Sequence, residues 1–201
     1  MALIIAADEI KKRLPSYTPD KAEEFHHESA RRADKLFDQA LKDKNFSDVI
    51  LLSGGTASGK TEFLSTQLVD KDCIILDATL ATINGANIKI KNIIKAGKVP
   101  IVYSVIPDDL RRAFIAFLNR DRKFSDKHFY KTHSGSRETL LWIAKNYPDI
   151  KINIIESSYD TTHKIQFDEV KLSNNQEVVS YLTRLQVTED DIITSVSILK
   201  K

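Results

Sequence analysis

The sequence predicts an α/β fold of three layers, with a mainly parallel five-stranded sheet covered by helices on both faces. Short β-branched runs alternate with helical patterns over residues 1–156, and this alternation is typical of parallel sheets. A glycine-rich turn, GGTASGKT, separates one such run from a helical pattern. The 201 residues are enough for a single domain, in which residues 157–201 form a C-terminal extension whose role the pattern does not define.

The predicted strands share a high content of Ile, Val and Leu, as expected of strands buried on both faces. They are residues 2–6, 48–52, 73–76, 99–105 and 151–156. The pattern weakens after residue 156, where 163–170 is an expected edge strand and 175–185 and 188–199 are expected short helices.

Helices are predicted between these strands from apolar residues that recur with helical spacing. We expect one helix over 19–44 and another over 87–98 that ends at Gly97. A third begins at Pro107 with two acids in its first turn, and a fourth begins at Ser136 and stops at Pro148. A helical segment over 60–68 follows the glycine-rich turn.

The glycine-rich turn contains the complete G-x-x-x-x-G-K-[ST] pattern of a P-loop. Glycines allow closely packed backbone N–H groups to approach phosphates, and the following helix presents its positive end to them. The pattern therefore predicts a P-loop NTPase or kinase fold that binds ATP or GTP with Mg²⁺; the alternative is a turn without a ligand. Lys60 is expected on the terminal phosphates and Thr61 on Mg²⁺. The predicted nucleotide-binding residues are Gly54, Gly55, Thr56, Ala57, Ser58, Gly59, Lys60 and Thr61.

Two further groups are expected beside the phosphates. Asp77 ends an apolar strand, where ligands of such folds bind, and is a candidate Mg²⁺ ligand; the alternative is that it caps a turn. Arg120 and Arg122 lie where a helical pattern decays into RDRKFSDKHF. We expect this segment to be a mobile lid whose arginines stabilise phosphoryl transfer. The alternative is a solvated surface, which we favour for Arg111 and Arg112.

Composition excludes some partners. Thirty Lys and Arg against 28 Asp and Glu give a formal charge of +2, so no strong field attracts nucleic acid. No apolar run reaches the length of a membrane span. Cys73, the one cysteine, cannot form an internal disulfide, which is typical of a reducing compartment. We therefore expect a cytoplasmic protein that binds neither nucleic acid nor membrane.

Several segments resemble the zeta-toxin-type kinases. IIAADEIKKRLPSY and the helix with EEFHHESARR resemble that family's acid-ending strand and its helix with a His-Glu pair. IILDATLA followed by GKVPIVYSV, and the segment RDRKFSDKHFYKTHSGSRETL, resemble its acid-x-Thr turn and its arginine-bearing lid. In the family the P-loop comes first, whereas here the acid-bearing strand precedes it, as though the segments had been exchanged. Sheet topology can survive such an exchange.

The resemblance implies a kinase that transfers phosphate to a hydroxyl of a small molecule, such as the nucleotide sugar UDP-N-acetylglucosamine. It assigns Asp8 as the base, with Glu9 a weaker candidate, and places Asp77 and Thr79 at the acceptor. Arg122 matches the lid arginine on the γ-phosphate, with Arg120 as its substitute. The resemblance also suggests an antitoxin protein as a partner.

Alternatives remain for Asp8 and for the whole chain. Asp8 has the residue type and position of a helix cap for EIKKRL. The chain as a whole could be a P-loop NTPase switch that recruits a protein, although no water-orienting residue can be assigned. A polynucleotide end kinase is disfavoured, because no strip of aromatic and basic residues is present to stack single strands.

Overall fold

The computed structural model describes residues 1–159 and 164–200. The strands are β1 (Leu3–Ala6), β2 (Asp48–Ser53), β3 (Ile74–Asp77), β4 (Val99–Pro107), β5 (Lys151–Tyr159) and β6 (Ile165–Glu169). The helices are α1 (Ala7–Lys12), α2 (His26–Ala40), α3 (Lys60–Phe63), α4 (Ile83–Lys95), α5 (Leu110–Leu118), α6 (Asp126–Asn146), α7 (Asn175–Arg184) and α8 (Glu189–Val196). A π-helical turn, Leu64–Leu68, continues α3, and 3-10 turns occupy Pro19–Lys21 and Ser197–Lys200.

The strands form one sheet in the order β1-β3-β2-β4-β5-β6. All pairs are parallel except β5 with β6. The five parallel strands are therefore confirmed, and the expected edge strand adds an antiparallel sixth over Ile165–Glu169. His163, at the start of that prediction, lies outside the described residues.

The register of the first three strands in the sheet positions the site. Asp77 at the end of β3 aligns with Ala6 of β1 on one side and with Leu52 of β2 on the other. Because the three strands are parallel, the chain leaves all of them at the same edge of the sheet, the carboxyl edge. Residues shortly after Ala6, Leu52 and Asp77 are therefore neighbours, although they are far apart in sequence.

Helices cover the two faces of the sheet unequally. Alternate strand residues such as Leu51 and Leu76 face one apolar core, which α2, α4, α6 and α7 complete. The intervening residues, such as Leu52 and Ile75, pack against Phe63 and the π-helical turn. A third cluster joins α5, α6 and α8. No helix in the described part of the chain is long and apolar enough to cross a membrane.

Four predicted helix starts are wrong. The helix expected over 87–98 is α4, which begins four residues earlier, at Ile83, because Thr82 is its cap. Pro107 ends β4, paired with Ser157, and α5 begins at Leu110 with the side chain of Asp109 as its cap. Ser136 is buried inside α6, which begins ten residues earlier, at Asp126. The first predicted helix begins at His26, and residues 19–21 form a separate 3-10 turn.

Candidate active site

A cavity of about 900 Å³ opens at the carboxyl edge of β1, β2 and β3. Residues from all three strand ends line it, together with the segment between α5 and α6. The predicted site residues in its wall are Asp8, Thr56, Ala57, Ser58, Gly59, Lys60, Thr61, Asp77, Thr79, Arg120 and Arg122. The topology therefore brings together residues that are up to 114 positions apart in the chain, from Asp8 to Arg122.

The loop 54–59 connects β2 to α3 and has a backbone that requires glycine at two positions. Gly54 has φ 134° and a Cβ there would lie 2.3 Å from the carbonyl oxygen of Val105. Gly59 has φ 88° and lies against Ile165 of β6. The first turn of α3 leaves the backbone N–H groups of Lys60 and Thr61 without an intrahelical acceptor. These donors suit an anion.

Lys60 folds back onto the loop. Its Nζ donates to the carbonyl oxygens of Gly54, at 2.8 Å, and Gly55, at 2.9 Å. Burial lowers the pKa of Lys60 to about 8, although the nearby carboxylate of Asp77 acts in the opposite direction. When an anion binds, Nζ of Lys60 can therefore exchange its two neutral carbonyl acceptors for charged oxygens of the anion.

Asp77 and Thr61 supply oxygen atoms to the same cavity. Burial raises the pKa of Asp77, while Lys60 opposes this effect. The carbonyl oxygen of Thr79 accepts a hydrogen bond from the N–H of Gly54, at 3.3 Å. Carboxylate and hydroxyl oxygens are ligands that Mg²⁺ accepts. No cluster of three or more His, Cys, Asp or Glu that could hold a metal occurs within residues 1–159 and 164–200.

Asp8 lies in the first turn of α1 and is held by two cations. Its carboxylate pairs with the guanidinium of Arg122 and with Nζ of Lys11, which is 3.2 Å away. Partial burial acts to raise the pKa of Asp8, but the two cations outweigh this effect and lower the pKa to about 2. The alternative that Asp8 caps α1 is wrong, because Ala6 occupies the cap position and no side-chain cap hydrogen bond is present.

Arg120 and Arg122 both reach the cavity from the segment between α5 and α6. Nη1 of Arg120 donates to the hydroxyl of Thr56 at 2.7 Å. The prediction of a lid over the whole RDRKFSDKHF segment is wrong in its second half, which is the start of α6. Arg112 pairs with Asp108 on the exposed side of α5, as expected of a solvated arginine.

Sequence reasoning missed several side chains that shape the site. Lys11 is 1% exposed, and its ammonium lies 4.7 Å from the ring centre of Phe124. His26 and His128 line the cavity with ring centres 5.2 Å apart. Burial, then His26, lowers the pKa of His128 to about 4. The three-residue spacing from Asp8 could have indicated Lys11, but no local signal indicates the histidine pair.

The described chain is thus an α/β protein with a six-stranded, mostly parallel sheet. Its fold is similar to that of a chain in the crystal structure of AvrRxo1-ORF1:AvrRxo1-ORF2 with sulphate ions, with TM-score 0.50, 13% identity, and coverage of 84% of this chain and 73% of that one. The corresponding structure with ATP gives TM-score 0.50, 14% identity, and coverage of 87% and 80%. At such identities the likeness shows a shared fold alone. No protein-family model matches the chain, and no curated protein matches it.

Proposed function

We propose that the chain is an ATP- or GTP-dependent phosphotransferase that acts on a hydroxyl group of a small molecule, in the manner of the zeta-toxin-type kinases that it resembles. The observation that carries the proposal is one cavity in which Asp8, Lys60 and Arg122 converge at the loop 54–59. Similarity to the fold of a structure that contains ATP supports a nucleotide as the donor.

The proposed donor site is the loop 54–59 with the first turn of α3. Backbone N–H groups of Lys60 and Thr61 donate to phosphate oxygens, and Nζ of Lys60 leaves the carbonyl oxygens of Gly54 and Gly55 to do the same. Thr61 and Asp77 are the residues that would hold Mg²⁺. The metal supplies charge neutralisation on the phosphate oxygens when bound.

The proposed acceptor site lies on the Asp8 side of the cavity. The hydroxyl oxygen of the acceptor attacks the terminal phosphorus, and the bond from that phosphorus to the bridging oxygen breaks to release the nucleoside diphosphate. The hydroxyl proton passes to the carboxylate of Asp8. Little basicity is needed, because the transition state of phosphoryl transfer is loose. Asp77 and Thr79 also line this cavity and are available to the acceptor.

In the proposed reaction, Arg122 has one partner before nucleotide binding and another during phosphoryl transfer. In the nucleotide-free protein it pairs with Asp8, whereas during transfer its guanidinium binds the equatorial oxygens of the moving phosphoryl group. The transfer of Arg122 to the phosphate frees one oxygen of Asp8 for the acceptor hydroxyl. Lys11 retains the other oxygen and keeps the carboxylate oriented.

The exchanged chain order is compatible with this site. β1 precedes the loop in the chain, yet in the sheet it pairs in parallel with β3, which lies between β1 and β2. Asp8 therefore reaches the same carboxyl edge as Asp77. This placement supports the proposal that an acid-bearing strand has changed its position in the chain while keeping its position in the sheet.

A protein partner of the antitoxin kind is a further part of the proposal. The similar folds occur in structures that contain two components, AvrRxo1-ORF1 and AvrRxo1-ORF2. That composition supports a search for a partner encoded beside this chain.

The experiment that tests the proposed function is a screen of nucleotide sugars and nucleosides with ATP or GTP labelled on the terminal phosphate, followed by mass spectrometry. We expect one acceptor class, with UDP-N-acetylglucosamine tested first, to gain a phosphoryl group. Release of inorganic phosphate alone, with every acceptor unchanged, would reject the transferase and favour the NTPase switch.

A further inference from the structure

Helix α6 holds the loop 54–59 at Thr56 through both of that residue's backbone polar groups. The N–H of Thr56 donates to the hydroxyl of Thr132, at 3.1 Å. The carbonyl oxygen of Thr56 lies 2.8 Å from Nε2 of His133. Both α6 residues are buried, and His133 is 0% exposed. The loop is therefore fixed by a neighbouring helix as well as by the strand and helix that it connects.

The ring of His133 also packs directly against the backbone of the loop. A Cβ added at Gly55 would lie 2.3 Å from Nδ1 of His133. A residue with a side chain at position 55 would displace either the ring or the loop. The second glycine of the GGTASGKT turn is thus explained by the approach of His133.

The protonation state of His133 follows from its surroundings. Burial, and then the positive charge of Arg137, holds the pKa of His133 well below its usual range. Nη1 of Arg137 lies 3.4 Å from Nδ1 of His133 and donates to the His133 carbonyl oxygen at 3.0 Å. A guanidinium can only donate, so Nδ1 is the acceptor and Nε2 carries the hydrogen. His133 therefore donates from Nε2 to the carbonyl oxygen of Thr56.

Peptide planarity converts these two hydrogen bonds into the orientation of the loop. The carbonyl of Thr56 and the N–H of Ala57 belong to one trans peptide and point in opposite directions. Because His133 holds that carbonyl towards α6, the N–H of Ala57 is directed away from α6. Ala57 itself lines the cavity. In the same way, Thr132 holds the N–H of Thr56, and the carbonyl of Gly55 turns towards Lys60.

We propose that His133 is a positioning residue for nucleotide binding: through its Nε2 hydrogen bond to Thr56 it aims the N–H of Ala57 at the phosphates. This inference rests on the proposed function, since it assigns a role within the same donor site. Arg137 is the residue that sets the His133 tautomer, and the carbonyl oxygen of Arg137 is bound in turn by Nε2 of Gln186, at 3.1 Å. This hydrogen bond joins the C-terminal extension to α6 one turn beyond His133.

The test compares His133→Gln with His133→Asn. The amide nitrogen of Gln reaches the position of the histidine Nε2, whereas that of Asn reaches only the position of Nδ1, so the Gln variant alone keeps the donor to Thr56. Thr139→Val is the matched control, because Thr139 is buried on the same helix and its hydroxyl has no hydrogen-bond partner among the described residues. Dissociation constants for ATP with Mg²⁺ are measured by calorimetry below the unfolding temperature of every variant.

We expect about tenfold weaker ATP binding by His133→Asn, with His133→Gln and Thr139→Val within about threefold of the unsubstituted protein. Equal affinities of the Gln and Asn variants would overturn the inference, whatever their unfolding temperatures, because a purely structural role changes stability without separating the two. Failure of the unsubstituted protein to bind ATP would instead reject the donor site itself. The two failures are therefore distinguishable.

Discussion

The guanidinium of Arg122 pairs with the carboxylate of Asp8, whose other oxygen is held by Lys11. Each partner of the Arg122–Asp8 pair is needed elsewhere in the proposed reaction, Arg122 at the phosphoryl group and Asp8 at the acceptor hydroxyl. In the proposed reaction, donor binding and exposure of the base are therefore coupled through one ion pair.

Replacement of Arg122 by Gln tests this coupling. We expect the pKa of Asp8 to rise from about 2 towards its ordinary value of 3.8, because one of two nearby cations is lost. Transfer should fall by about 10²-fold or more, as for loss of one group that stabilises transition-state charge. A carboxyl NMR titration gives the pKa and a transfer assay gives the rate. Arg112→Gln, which removes an exposed pair with Asp108, should change neither; an unchanged Asp8 pKa in Arg122→Gln would contradict the coupling.

Replacement of Lys60 by Ala tests the donor site. We expect the variant to lose the rise in unfolding temperature that ATP with Mg²⁺ gives the unsubstituted protein, since a ligand stabilises only what it binds. Differential scanning calorimetry with and without nucleotide measures the rise. Lys91→Ala removes an exposed lysine of α4 and should keep it. An undiminished rise in Lys60→Ala would show that the nucleotide does not use this loop.

Replacement of Asp8 by Asn separates binding from transfer. The amide keeps the size of the side chain but cannot accept the acceptor's proton, so we expect ATP affinity within a few-fold of normal and a rate lower by about 10²-fold to 10⁴-fold. Calorimetry and a transfer assay give the two quantities. A fully active Asp8→Asn enzyme would remove Asp8 as the base. Glu9→Gln, the corresponding size-conserving change at the neighbouring carboxylate, serves as the control.

The pKa of Lys60 predicts a proton uptake that accompanies nucleotide binding. Its pKa is about 8 in the free protein, and bound phosphates raise the pKa of an amine that they contact. At a pH between the pKa values of Lys60 in the free and the bound protein, the complex holds more protons than the free protein does. Binding therefore takes up protons near pH 8.5, and ATP affinity falls as the pH rises above 8. At about pH 7 this amine is already mostly protonated and contributes little uptake. Calorimetry in buffers of different ionisation enthalpy measures the uptake. An affinity that stayed constant from pH 7 to pH 9 would contradict this prediction.

The strands and the glycine-rich loop could be predicted because their signals are local. β-branched runs bounded by turns located all five parallel strands, and the spacing of Gly54, Gly59 and Lys60 located the loop. The start of α6 could not be predicted in this way. Ser136 resembles a helix cap, but Phe129 and Tyr130 upstream of it pack against α5, and this tertiary contact extends the helix.

The supporting residues of the site depend on contacts that sequence spacing does not show. Lys11 is a surface residue by type, yet it is buried between Asp8 and Phe124. His133 reaches Thr56 across 77 positions in the chain. Such contacts exist only after the sheet order has placed β1 and the loop 54–59 at one edge.

The destination of the terminal phosphoryl group of ATP tests the account most directly. Labelled ATP, Mg²⁺ and the purified chain are incubated with the acceptor found in the screen, and the label is followed into product and into inorganic phosphate, with Asp8→Asn in parallel. We predict that the label appears on an acceptor hydroxyl with the unsubstituted protein and is almost absent from it with Asp8→Asn. Label found in inorganic phosphate alone would contradict the assignment of the chain as a phosphotransferase.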